Sequence, residues 1–234
     1  MQPEHLSRQF DADLAALRNR VVEMGALVDE QFRQALDALA SGRDAMVDEV
    51  IKRDAAVNAL EVRIDDACAH VIAKRQPAAG DLRMILGVSK IVSELERVGD
   101  KARKVARLSR ALHATGELDP EWLADMRRIA GDARTLLREA LDAFVRSDVD
   151  TAVAVIRRNR RVASEADALN KDIVRRITER SGHVAALLDM MALTRAVDRV
   201  ADHAGDLAEH VVYIVKGTDV RHATIEQIEA ETRR

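Results

Sequence analysis

Apolar residues recur along this chain in steps of three and four. Phe10, Leu14, Leu17, Val21, Met24, Val28, Phe32, Ala35 and Leu39 predict an amphipathic helix from Leu6 to about Ala40. Ser41-Gly42 breaks that pattern, and Ser41 or Asp44 is the expected cap of the next helix. The second helix runs to about Arg75 and turns Val47, Val50, Val57, Leu60, Ile64, Ala67 and Val71 inward. After Gln76-Pro77-Ala78-Ala79-Gly80, a third runs from about Asp81 to His113, with Ile85, Val88, Val92, Leu95, Ala102 and Val105 on its apolar side. The strongest interruption is Ala114 to Pro120, where Asp119 before Pro120 reads as an N-cap followed by proline in the first turn. Further helices are expected from Pro120 to about Arg146, from about Asp148 to Arg180 and from about His183 to Lys216. Gly217 should cap the last of these. The polar remainder, Thr218 to Arg234, is expected to be loosely ordered with a short helix near Thr224 to Ala230.

Six such helices are rods about 40–50 Å long. The links at 41–44, 76–80, 146–148 and 181–182 are short enough to force antiparallel neighbours. The expected fold is all-α: two tandem antiparallel three-helix bundles, residues 1–115 and 116–217, followed by a tail at 218–234. An internal repeat supports the division. Glu94-Leu95-Glu96-Arg97-Val98-Gly99-Asp100-Lys101-Ala102 returns as Ala196-Val197-Asp198-Arg199-Val200-Ala201-Asp202-His203-Ala204, an offset of 102 residues in a chain of 234. Each half is long enough to bury a core of its own.

Composition sharpens this picture. The apolar share is 47% but the aromatic share only 2%, so the core must be built from Leu, Val, Ile, Met and Ala. Three prolines and ten glycines leave room for long helices and argue against an all-β fold. A formal charge of −3 gives no electrostatic reason for nucleic-acid binding, and base-stacking aromatics are too few. Cys68 stands alone, which excludes a disulfide within the chain and suits a cytoplasmic setting. No apolar run reaches the length of a membrane span, so any membrane contact is expected to go through partners.

The candidate chemistry lies in paired carboxylates. Glu96 and Asp100 stand one turn apart on one face of the third helix, as do Asp198 and Asp202 on the sixth. That spacing can hold a cation or bind arginine side chains. The second helix carries Asp54, Asn58, Glu61 and Asp65 in one stripe, and equal rise from the turn near residue 78 brings Glu96 level with about residue 60. Carboxylates and an amide converging from two helices suit magnesium, manganese, iron or zinc. The competing expectation is a solvated acidic face balanced by Arg97, Arg103 and Arg107. In the second half the level segment of the fifth helix reads Arg157-Arg158-Asn159-Arg160-Arg161, so ion pairs are expected to neutralise much of the Asp198, Asp202, Asp206 and Glu209 stripe. Cys68 and Met190-Met191 read as core, and Met24-Gly25 and Gly99 as places where helices approach closely. No Walker pattern, HExxH, CxxC or nucleophile–base spacing occurs, and no catalytic residue is expected.

Several separated stretches resemble the PhoU family of phosphate-transport-system regulatory proteins. They are Glu94 to Asp100, Ile72-Ala73-Lys74-Arg75-Gln76-Pro77 with Asp81-Leu82-Arg83, Tyr213-Ile214-Val215-Lys216-Gly217 with Arg221-His222, and Phe10 to Leu14 with Met24-Gly25. The resemblance covers nearly the whole chain. It implies two three-helix bundles and multinuclear iron or zinc clusters held by acid-xxx-Asp motifs. By motif, Glu96 with Asp100 and Asp198 with Asp202 would be ligands, with Asp54, Asn58, Glu61 and Asp65 as partners of the first pair. It also implies a negative regulator of the phosphate-starvation response, linking the ATPase subunit of a phosphate ABC transporter to a sensor histidine kinase. The chain departs from the family pattern at Asn159 and Ala163, where an acid-xxx-Asp repeat is usual, and at Lys101 and Lys104. A homodimer is the expected assembly. Two other readings stand beside this one: a carboxylate-bridged metal-binding protein with metal-dependent activity, and a helical scaffold with no ligand.

Overall fold

Helix boundaries follow the breaks in apolar period closely. A computed structural model describes residues 8–179 and 183–232. It contains α1 (Arg8–Ser41), α2 (Asp44–Arg75), α3 (Ala79–Thr115), α4 (Pro120–Arg146), α5 (Val149–Glu179), α6 (Val184–Lys216) and α7 (Ile225–Thr232). Among the described residues all regular structure is helical, and no helix is long and apolar enough to cross a membrane. The expected start at Leu6, the end of the fifth helix at Arg180 and the link at 181–182 lie outside the described residues.

The stops and starts have local causes. Gly42, Gly116 and Gly217 adopt left-handed φ values of 68°, 67° and 82°, where glycine meets no Cβ penalty. Gly217 donates its N–H to the Tyr213 carbonyl at 2.9 Å, closing α6. Asp119 caps α4, accepting from the backbone N–H groups of Glu121 and Trp122, with Pro120 in the first turn. The start of α2 differs from expectation. Arg43 is the N-cap residue and makes no side-chain cap bond. Asp44 is drawn instead to Arg110 of α3, 3.1 Å from its Nε.

The expected pair of three-helix bundles is present, but the halves do not keep separate cores. Buried side chains form one continuous cluster from Leu14 to Ile228. The reason is that α3 and α6 carry apolar or small residues on more than one side and pack extensively against each other across the junction. Gly87 makes room for Ile214, whose Cγ1 would lie 2.3 Å from an added Cβ. Gly25 does the same for Leu141 of α4. Trp122 of α4, 2% exposed, donates its indole N–H to the Thr194 hydroxyl of α6 at 3.3 Å. Asp29 of α1 accepts both arms of the Arg134 guanidinium of α4, at 2.7 and 2.8 Å. Large side chains such as Phe32, Leu95, Trp122 and Met126 each contribute roughly 1.5–3 kcal/mol by burial.

The tail is also more ordered than its polarity implies. Val220, Ile225 and Ile228 are buried, and α7 lies against α5. Thr224 and Gln227 form a reciprocal capping box: the Thr224 hydroxyl accepts from Gln227 N–H, and the Gln227 carbonyl accepts from Thr224 N–H.

Candidate functional site

The α2–α3 hairpin brings the first acidic stripe together as equal rise requires. Asp54 is 5% exposed, and its Oδ2 accepts from Nη1 of Arg103 at 2.5 Å. The second arm of Arg103 reaches Asp100 Oδ1, also at 2.5 Å. The guanidinium therefore stands between two of the residues expected to hold a cation. Asp65 accepts from the Ser89 hydroxyl at 2.6 Å. Glu61 and Glu96 share the remaining space without a cation bonded to either. Burial, then the charge of Asp65, pushes the Glu61 carboxyl up, while burial and the charges of Asp100 and Glu61 do the same to Glu96. Asn58 is exposed at the edge of the stripe.

In the second half the arginines of α5 pair elsewhere, and the ion pair within the stripe comes from Arg199 of α6 itself. Arg157 pairs with Glu229 of α7, Arg158 with Glu139 of α4, and Arg161 with Asp132 and Glu165. At 100° per residue, positions 157, 158 and 161 share one side of α5, while Asn159 points away from it. Asn159 is the residue that meets α6. Its amide donates to Asp202 Oδ1 at 3.3 Å, and Gly205 leaves the space for it. Asp202 Oδ2 is held by Arg199 of its own helix at 3.0 Å. The Asp198 carboxyl is pushed up to about 6 by burial and by the neighbouring Asp202.

The donor chemistry of both faces fits a hard cation. Asp54 Oδ1 on the first face, and Asn159 Oδ1 and Asp198 Oδ1 on the second, are buried without a hydrogen-bond donor. Buried acceptors of this kind are rare unless a donor or cation completes them. On the first face Arg103 already supplies one positive charge; on the second Arg199 supplies one to Asp202, and Asn159 brings none.

A third grouping was not foreseen from the two hairpins. It lies where α3 packs on α6. His203 Nδ1 is 2.7 Å from Glu94 Oε2, and Asp206 Oδ2 is 4.0 Å from the same nitrogen. Among the described residues this is the one set of three or more His, Cys, Asp or Glu side chains whose ligand atoms all lie within 4.8 Å of one another. A signal for it existed. Glu94 is in phase with Ile91, Leu95 and Val98, so a carboxylate had to be buried on α3. Cys68 behaves as a core residue, its thiol pushed up to about 11 by burial.

An internally repeated bundle, with oxygen-rich faces on both of its hairpins, defines the class of protein. The PhoU domain matches residues 21–109 and 126–211, one stretch in each half. A Pseudomonas putida protein described as a phosphate-specific transport system accessory protein PhoU homolog is 36% identical over 229 residues, 98% of this chain and 89% of its own. The crystal structure of PhoU from Pseudomonas aeruginosa superposes with a TM-score of 0.86 at 36% identity, over 89% of this chain and all of that one. The phosphate transport system regulatory protein PhoU from Streptococcus pneumoniae superposes with a TM-score of 0.82 at 26% identity, over 90% and 99% of the two chains. The chain belongs to the PhoU family.

Proposed function

We propose that this chain is a non-enzymatic regulator of phosphate uptake. It restrains the transport system and the starvation response when phosphate is ample. In this reading it is an adaptor: rigid helical faces bearing fixed charge recognise the ATPase subunit of a phosphate ABC transporter and a sensor histidine kinase. It works in the cytoplasm as a homodimer and reaches the membrane through those partners. The observation that carries the reading is the match to a named transport-system accessory protein over 98% of the chain. Both acid-xxx-Asp motifs, Glu96 with Asp100 and Asp198 with Asp202, lie inside the matched domain stretches.

Iron, zinc, manganese or magnesium on the two faces belongs to the same proposal. Asp54, Asn58, Glu61, Asp65, Glu96 and Asp100 would hold a cation on the first face. Asp198 and Asp202, with Asn159, would hold one on the second. A bound cation would neutralise each face and cross-link its two helices. The chain's own part is to hold these oxygens at fixed register on paired helices, keep Asp54 and Asp198 largely out of water, and supply Arg103 as a competing charge. A second reading, a metal-binding protein with metal-dependent activity, is favoured by the buried unpartnered oxygens of Asp54, Asn159 and Asp198. Deleting the gene and measuring starvation-promoter activity at high phosphate tests the first reading: derepression is expected, and unchanged expression would sink it. Elemental analysis of the purified chain, with Glu96→Ala and Asp100→Ala complementing the deletion, decides the second. Metal-free protein and full complementation remove it.

A further inference from the structure

Glu94, His203 and Asp206 meet at the packing surface of α3 and α6. Glu94 and His203 are nearly buried, with side chains 10% and 12% exposed, while Asp206 is half exposed and opens the cluster to solvent. Glu94 is bound through both oxygens: Oε1 accepts from Arg97 Nη1 at 3.0 Å, and Oε2 faces His203.

We propose that Glu94, His203 and Asp206 bind a divalent transition-metal ion, zinc being the best chemical match, which ties the two halves of the molecule together. The proposal is independent of the metal reading of the two hairpin faces. One imidazole with two carboxylates is a donor set of borderline softness, suited to zinc more than to magnesium or calcium. The geometry is close to what such an ion needs. Ligand atoms at about 2.0–2.2 Å from a tetrahedral ion stand roughly 3.3–3.6 Å from one another. The two separations from His203, 2.7 Å to Glu94 and 4.0 Å to Asp206, bracket that range. Each needs to change by less than about 1 Å. Asp206 is free to rotate inward because it is the exposed member.

A second imidazole stands near the cluster. His210 lies one turn beyond Asp206 and two beyond His203, on the same face of α6, and the charge of Glu94 acts on it. It is 6% exposed. Burial holds its pKa near 4, so the ring is neutral at physiological pH and offers a free nitrogen lone pair.

The rival explanation is an ion pair between His203 and Glu94 with Asp206 incidental to it. The two differ in what His203→Arg does. Arginine keeps a cation opposite Glu94 but cannot ligate a metal. The full chain, stripped with EDTA, is titrated with Zn²⁺ in a background where Glu96→Gln, Asp100→Asn, Asp198→Asn and Asp202→Asn remove the hairpin-face ligands. One equivalent of zinc is expected to bind and raise Tm. His203→Arg or Asp206→Asn should weaken that binding on the order of 100-fold. Equal binding by the His203→Arg variant, or none in the background, overturns the site. Should the fourfold variant fold poorly, imidazole ¹⁵N resonances of the wild-type chain decide: the His203 signal is expected to shift on zinc addition, and an unmoved signal overturns the proposal whether or not the faces take metal.

Discussion

Arg103 of α3 donates to Asp54 of α2 at 2.5 Å, and the other oxygen of Asp54 is buried with no donor. The guanidinium thus fills part of a place that a cation would otherwise fill. Removing it leaves a buried carboxylate uncompensated, which is more costly than losing the pair outright. Arg103→Met should lower metal-free stability by about 2 kcal/mol, less than a fully buried pair because Arg103 is about one-third exposed. The same change should strengthen cation binding on the first face. Urea unfolding with EDTA, and manganese titration followed by EPR, check the two halves of this expectation. Unchanged stability together with unchanged affinity contradicts it.

At Gly87 the backbone of α3 approaches Ile214 of α6 with no room for a side chain. Alanine there places a Cβ 2.3 Å from Ile214 Cγ1, so Ile214 must move. Overpacking of this kind costs roughly 1–3 kcal/mol, against a gain of about 1 kcal/mol from better helix propensity. Gly87→Ala should therefore be neutral to destabilising by up to about 2 kcal/mol. Adding Ile214→Ala should remove the strain at that position but lose apolar contact. Negative coupling between the two substitutions in a double-mutant cycle is the expected sign.

Glu209 gives stability a pH dependence in metal-free protein. Its carboxyl is raised from 4.5 to about 7 by burial first, then by the charges of Asp206 and Asp219. The folded chain therefore holds this proton more tightly than the unfolded chain does. The contribution is fully present below about pH 4.5 and is lost as pH rises through about 7. Glu209→Gln should flatten the stability profile between these values, with a gain of about 2 kcal/mol at pH 8. Chemical denaturation across that range reads it directly, and parallel profiles for variant and wild type would refute the assignment.

Helix α7 is anchored through Val220, Ile225 and Ile228. Ile228→Ala should cost about 2–4 kcal/mol locally. Because α7 packs chiefly on α5, the loss should appear as faster amide exchange within 225–232 with little change in α3. Equal acceleration in α3 would show that the tail is part of the global fold.

How much of this was legible in sequence depends on what fixes each feature. The six long helices were readable because apolar period and Gly or Pro breaks are local. The α2–α3 stripe was readable because a short link fixes antiparallel register, and Asp54, Glu61, Glu96 and Asp100 meet as equal rise requires. The arginine run on α5 misled because composition hides rotation: Arg157, Arg158 and Arg161 turn toward other partners and leave Asn159 facing Asp202. The Glu94–His203 contact spans 109 residues, and no link length specifies it. Only the apolar neighbours of Glu94 hinted that a charge was being buried. The tail hid its anchors in the same way, since Ile225 and Ile228 are two apolar residues in a polar stretch.

The adaptor reading stands or falls on physical association. The most direct measurement is affinity purification of the tagged, full-length chain from phosphate-replete cells, with mass spectrometry of what co-purifies. The account predicts recovery of a phosphate ABC transporter's ATPase subunit and a sensor histidine kinase, both depleted by charge reversal on the helical faces. Recovery of neither, from cells in which both are expressed, would contradict it.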